Sequence, residues 1–175
     1  MSVAEIVVTT QYLTFKLGEE VYAVDISKVR EVLDFTTVTK VPRTPDFMRG
    51  VINLRGSVVP VVDLALKFGL PESPITRRTC IVVVEVDLDG ERAVMGVMAD
   101  AVSQVLDLGG GDIEPPPAFG TRVHMEYLLG MGKAGKKFIL LLDIDRILSV
   151  DELIEVTKFQ GLPPDAAPAQ AEAAV

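Results

Sequence analysis

Fifteen consecutive residues constrain this chain most: Gly50–Val51–Ile52–Asn53–Leu54–Arg55–Gly56–Ser57–Val58–Val59–Pro60–Val61–Val62–Asp63–Leu64. They read as two β-branched strands joined at a tight turn. Gly50 and Gly56 bracket the first strand, and glycine is the residue that reaches positive φ without a Cβ penalty. Arg55 is the only charge between Arg49 and Asp63. An arginine presented on a turn between two buried strands is either pinned by an internal carboxylate or held out for a partner.

The rest of the chain repeats this theme of short apolar runs of period two. Tyr12–Leu17 alternates, Gly18–Glu19–Glu20 turns, and Val21–Val24 follows, which is a hairpin signal. Asp25 is placed to cap one helical turn, Ile26–Arg30, and Glu31–Phe35 leaves it as another strand. Pro42 and Pro45 mark a connection, and Leu64–Gly69 reads as a single helical turn stopped by glycine. Cys80–Val86 and Arg92–Val97 flank a second hairpin turn at Asp89–Gly90. Ala101–Leu106 alternates, Phe138–Leu142 is strongly apolar, and Asp143–Leu148 reads as a short helix. Ser149 and Glu152 stand as a capping box at the start of a last helix. The glycines at 109–111 and prolines at 115–117 read as an irregular connection between lobes.

Nine or ten short strands with frequent turn signals and little helix argue an all-β barrel, or a pair of small barrels. Each half of the chain shows hairpin, strand, loop, strand, which fits two lobes of five strands. A groove between two lobes is a favoured binding site. Beyond Gly161, Pro, Ala, Gln and Glu dominate, and a disordered tail is expected over 161–175.

Composition removes several function classes. The chain has 175 residues, 17 Lys+Arg against 25 Asp+Glu, and a net charge of −8, so it offers no global field for nucleic acid or anionic lipid. With no Trp and three Tyr, a base-stacking surface is not expected. No apolar run approaches the roughly 20 residues of a membrane-spanning helix. The first eleven residues lack a basic region and a long apolar stretch, so no signal peptide is expected and the compartment read is the cytoplasm.

Catalysis finds no constellation. His124 is the single histidine, with neither a Ser-His-Asp set nor an HExxH pattern around it. Cys80 is the single cysteine and sits in an apolar run, as a core hydrophobe does. Asp25, Asp63, Asp100 and Asp143 end apolar runs, where an aspartate commonly caps the next turn. The triple glycine lacks the ending of a phosphate loop. What remains is a binding protein: an adaptor docking through barrel edges and a groove, or an isolated small-ligand-binding β-barrel.

At this point the residues resemble a family, the CheW-type chemotaxis coupling proteins. The likeness rests on Phe15–Gly18, on Val24–Val32, and on Pro45–Gly56 with its Asn53–Leu54–Arg55–Gly56 turn. It continues through Val59–Leu64, Asp100–Val105 and Glu126–Gly132. Their order and spacing carry it from about Tyr12 to Leu153, within a domain expected over residues 10–158. The resemblance implies two intertwined five-stranded SH3-like β-barrels sharing one core, with short helices and a C-terminal helix. It implies no catalysis and no cofactor. It implies an adaptor between the cytoplasmic tip of methyl-accepting chemoreceptors and the regulatory domain of the CheA histidine kinase, recruited to membrane-associated arrays that serve motility or another output. In such proteins receptor helices lie in the interlobe groove, the kinase docks largely on edges of the first lobe, and a second-lobe contact helps close rings in arrays. By matching position, Arg55 supports the coupling surface with Glu31 as an internal or interface partner, Val29 and Gly50 lie near the receptor groove, and Gly96 and Val105 do so in the second lobe.

Overall fold

The computed structural model describes residues 9–42, 45–72, 74–88, 90–115 and 127–147. Among them run eleven strands: β1 Thr9–Leu17, β2 Glu20–Asp25, β3 Val29–Asp34, β4 Met48–Leu54, β5 Ser57–Asp63, β6 Cys80–Leu88, β7 Glu91–Ala99, β8 Ala101–Gly109, β9 Ile113–Glu114, β10 Leu128–Ala134 and β11 Lys137–Leu142. One helical turn, α1 Leu64–Lys67, follows β5. The strands form a six-stranded sheet ordered β8-β1-β2-β11-β10-β9 and a five-stranded sheet ordered β3-β6-β7-β5-β4.

The lobes are therefore not the two halves of the chain. It begins in the first sheet, builds all of the second with β3 to β7, and returns for β8 to β11. Two parallel contacts, β2 with β11 and β5 with β7, draw strands distant in sequence together. This interleaving matches the intertwined arrangement rather than the half-by-half one. The irregular stretch after β8 also differs from expectation. Gly110–Asp112 makes a 3-10 turn and Ile113–Glu114 pairs with β10, so the described part of this segment stays with the first sheet, while Pro116 and Pro117 lie outside the described residues. The expected C-terminal helix, His124 and the 161–175 tail lie outside the described residues.

Strand alternation distributes apolar residues between three larger cores and a small fourth cluster of Val51 and Val58. Along β6, Cys80, Val82, Val84 and Val86 face a large shared core, and Ile81 and Val83 face the interior of the second barrel. Along β11, Leu140 and Leu142 join the shared core, and Ile139 and Leu141 fill the first barrel with Tyr12, Ala23 and Leu108. Strands buried on both faces need continuous apolar runs, which is why Cys80–Val84 and Ile139–Leu142 carry no charge. An aromatic file, Phe15–Tyr22–Phe68–Tyr127, spans the shared core with ring centroids 5.6 to 6.2 Å apart.

The capping aspartates separate into two kinds. Asp25 accepts from the Ser27 N–H at 2.9 Å, Asp63 from Leu66 at 3.3 Å and Asp143 from Asp145 at 3.3 Å, each serving the turn that follows it. Asp100 does otherwise: its carboxylate accepts the Gly18 N–H at 2.7 Å, holding the distant β1–β2 turn. Asp145 makes a comparable long-range tie. It takes the Lys28 ammonium at 2.9 Å and the Asp87 N–H at 2.9 Å, joining the end of the first sheet to the second.

Candidate functional site

The β4–β5 hairpin pairs Leu54 with Ser57, leaving Arg55 and Gly56 as a two-residue loop. Their φ values, +51° and +86°, are both positive, as in a type I′ turn whose twist matches the flanking strands. Asn53 accepts the Gly56 N–H at 3.0 Å and steadies the loop. Asparagine or glycine normally fills the first position of such a turn. Arginine there crowds its Cβ against the backbone, and Arg55 is the one non-glycine at positive φ among the described residues.

That backbone carries the guanidinium across to β3. Arg55 Nη1 lies 2.5 Å from Glu31 Oε2 and Nη2 lies 3.0 Å from Oε1, a two-pronged pair. β3 and β4 are the two edges of the five-stranded sheet, so the pair spans its open seam. Beneath it lies a hollow of about 380 Å³ floored by Leu54, Val58, Val59, Val83 and Val94 and rimmed by Arg30. The Arg55 side chain is 73% exposed and that of Glu31 24%. An ion pair this open contributes little to stability, so it does not account for an arginine at a strained position. Residues in disfavoured backbone conformations concentrate where function requires them.

The pair also sets its own titration. The Arg55 hydrogen bonds hold the Glu31 carboxyl below the usual glutamate range, and Glu31 in turn raises the Arg55 pKa. A carboxyl lowered on folding stabilises the native state above its unfolded pKa and loses that contribution as pH falls through the folded one. The Glu31 side-chain carboxyl, followed by carbon NMR, should therefore titrate below free glutamate, and Arg55→Ala should move its midpoint upward. An unmoved midpoint would show that the two groups do not meet in solution.

The other expected site residues do not gather here. Val29 begins β3, half-buried against the shared core. Gly50 is buried at an irregularity in β4, and a Cβ on it would sit 2.1 Å from the Thr39 carbonyl oxygen. Gly96 faces the interior of the second barrel, where a Cβ would meet Ile81 at 2.7 Å and Val61 at 3.4 Å. Both glycines are packing positions with no side chain to offer a partner. Val105 is 46% exposed on β8, an edge of the other sheet. What the sequence reading missed is the floor of the hollow and the exposed Val32 (43%) on edge strand β3. The alternation of Val58/Val59 and of Val83 with its neighbours signals burial, but not which strands converge.

The CheW-like domain family matches residues 11–152. The chain is 40% identical over 143 residues to the chemotaxis protein CheW of Klebsiella aerogenes, covering 82% of this chain and 84% of that one. It is 35% identical over 140 residues to protein FrzA of Myxococcus xanthus, covering 79% and 84%. The crystal structure of the scaffolding protein TtCheW from Thermoanaerobacter tengcongensis superposes with a TM-score of 0.74 at 33% identity, covering 83% of this chain and 96% of that one. Its interleaved two-sheet fold and its match over residues 11–152 make the chain a member of the CheW-like family of non-catalytic chemotaxis scaffolds.

Proposed function

We propose that this protein is the adaptor that couples methyl-accepting chemoreceptors to the regulatory domain of the CheA histidine kinase. The observation that carries the reading is the exposed Arg55–Glu31 pair, held on a disfavoured turn across the seam of the second sheet. A kinase surface can compete for this arginine or dock beside it, and the apolar hollow beneath accepts a side chain. For the receptor, edge strands β3 and β8 offer Val29 and Val105, with Gly50 and Gly96 acting as packing behind such surfaces. In this reading the protein works in the cytoplasm and reaches the membrane only through receptors. Among the described residues no helix is long and apolar enough to cross one.

Tyr12, Ala23, Leu108, Ile139 and Leu141 pack the first barrel, and the space bordering the second barrel's cluster is the hollow under Arg55 and Glu31, which we assign to a partner side chain rather than to a small ligand. Each contact can be weak, because arrays gain through multivalency. The deciding experiment is capture of the purified protein by the CheA regulatory domain and, separately, by a receptor cytoplasmic fragment, followed by kinase assay of the ternary mixture. Binding to both with stimulated autophosphorylation is expected. Binding to neither would overturn the proposal.

A further inference from the structure

Two features of one face are unused by the coupling reading. The β10–β11 hairpin closes through Gly135 and Lys136, and its tip exposes Lys136, Lys137 and Phe138, the last by 52%. Its other lysine, Lys133, is taken by Glu114 at 2.8 Å. Nearby lies a groove of about 540 Å³ with Leu17, Leu70 and Pro71 in its floor and Glu19, Glu20 and Glu72 on its rim. Only acidic charges line it, and Glu72 is already held by Arg49 at 3.0 Å. Among the described residues Glu19, Glu20, Lys136 and Lys137 join no ion pair.

The register places the two features side by side. β11 runs parallel to β2 with Leu140 beside Tyr22, which brings Phe138 level with Glu20 and Lys137 level with Glu19. No residue of the hairpin is among those that line the groove, so the hairpin leaves it open in its own chain. A cationic hairpin with an exposed aromatic and an acidic groove with an apolar floor, adjacent on one face, are self-complementary about a two-fold axis. We propose that a second copy of this chain docks here, each copy setting Phe138 into the other's groove with Lys136 and Lys137 against Glu19 and Glu20. The whole-chain charge of −8 opposes any non-specific approach, so the contact depends on this local reversal of sign. Its small extent puts it among weak, reversible interfaces.

The test uses the full chain alone and needs no chemotaxis partner, so its outcome is separate from that of the adaptor reading. Sedimentation velocity from about 10 µM to about 1 mM should show a concentration-dependent dimer, in the range of transient contacts. Glu19→Lys/Glu20→Lys and Lys136→Glu/Lys137→Glu should each weaken it by roughly tenfold or more, because like charges then face each other. Mixed together, the two variants should form a heterodimer, since every hairpin then meets an opposite groove. Phe138→Ser should weaken the dimer without reversing any charge. All changes are on exposed or half-exposed side chains, and unchanged melting confirms the fold. A wild type that stays monomeric throughout, or charge variants that dimerise like wild type, would overturn the proposal.

Discussion

Arg55→Asn should melt at or above the wild-type temperature and yet lose most of its capacity to stimulate the kinase. The two effects have separate physical origins. Asparagine tolerates positive φ far better than arginine and is favoured at the first position of a type I′ turn, so the backbone gains. The lost ion pair is open to solvent and subtracts little. Coupling, in the role proposed above, depends instead on the fork that reaches Glu31 and on the charge it offers a partner. A drop in kinase stimulation of roughly tenfold or more is the scale expected of an arginine at an interface centre. Arg55→Lys keeps the charge but not the planar fork and should recover only part of the activity. Circular dichroism melting and a reconstituted kinase assay read the two axes independently. Global unfolding of Arg55→Asn would make the residue a structural pin, and full activity would remove it from the coupling surface. A double-mutant cycle with Glu31→Gln then apportions the pair: an interaction energy near zero in kinase stimulation would show that Arg55 acts without Glu31.

Local chemistry made much of this legible before any coordinates. Asp89–Gly90 and Arg55–Gly56 announce hairpins because few residues reach positive φ, and Gly56 and Gly90 do so at +86° and +90°. Asp25 and Asp63 announce caps because an aspartate before a short apolar turn has a nearby N–H to accept. Long-range pairing was less legible. Nothing local in Val61–Val62 selects Gly96–Val97 as parallel neighbours, and nothing in Leu140–Leu141 selects Tyr22–Ala23, yet these two contacts interleave the lobes. Asp100 illustrates the same limit: it looks like the other capping aspartates, but its acceptor is used 82 residues away, at Gly18. At the candidate site, residue type and its place on a turn pointed to Arg55, the family resemblance pointed to Glu31, and the structure joins them. Gly50 and Gly96 were harder, because a glycine leaves no trace in sequence of whether it frees the backbone or makes room for a neighbour. Here Gly96 makes room, while Gly50 does both.

Gly50 carries the largest stability prediction. Its φ is +143°, which side-chain-bearing residues rarely adopt, and an added Cβ would lie 2.1 Å from the Thr39 oxygen and 2.6 Å from its carbonyl carbon. These are backbone atoms, so no rotamer change relieves the overlap. They are also tied in place, since Thr39 and Val51 exchange two hydrogen bonds at 2.9 and 2.8 Å. Gly50→Ala must therefore break that bridge and displace Val38–Thr39, or distort β4 itself, at a cost of about 3 kcal/mol or more. Gly18→Ala is the matched control: its φ is +63°, but nothing lies within 4 Å of the added Cβ. That change should cost only about 1 kcal/mol, the usual penalty of the left-handed region. Chemical denaturation of both variants tests the contrast, and equal losses would show that the approach of Thr39 is not what requires glycine. The same comparison decides how a coupling defect at position 50 is to be understood. If Gly50 only backs the surface, Gly50→Ala should lower the folded population and leave partner affinity per folded molecule unchanged. Normal stability with lost binding would instead place Gly50 at the interface itself.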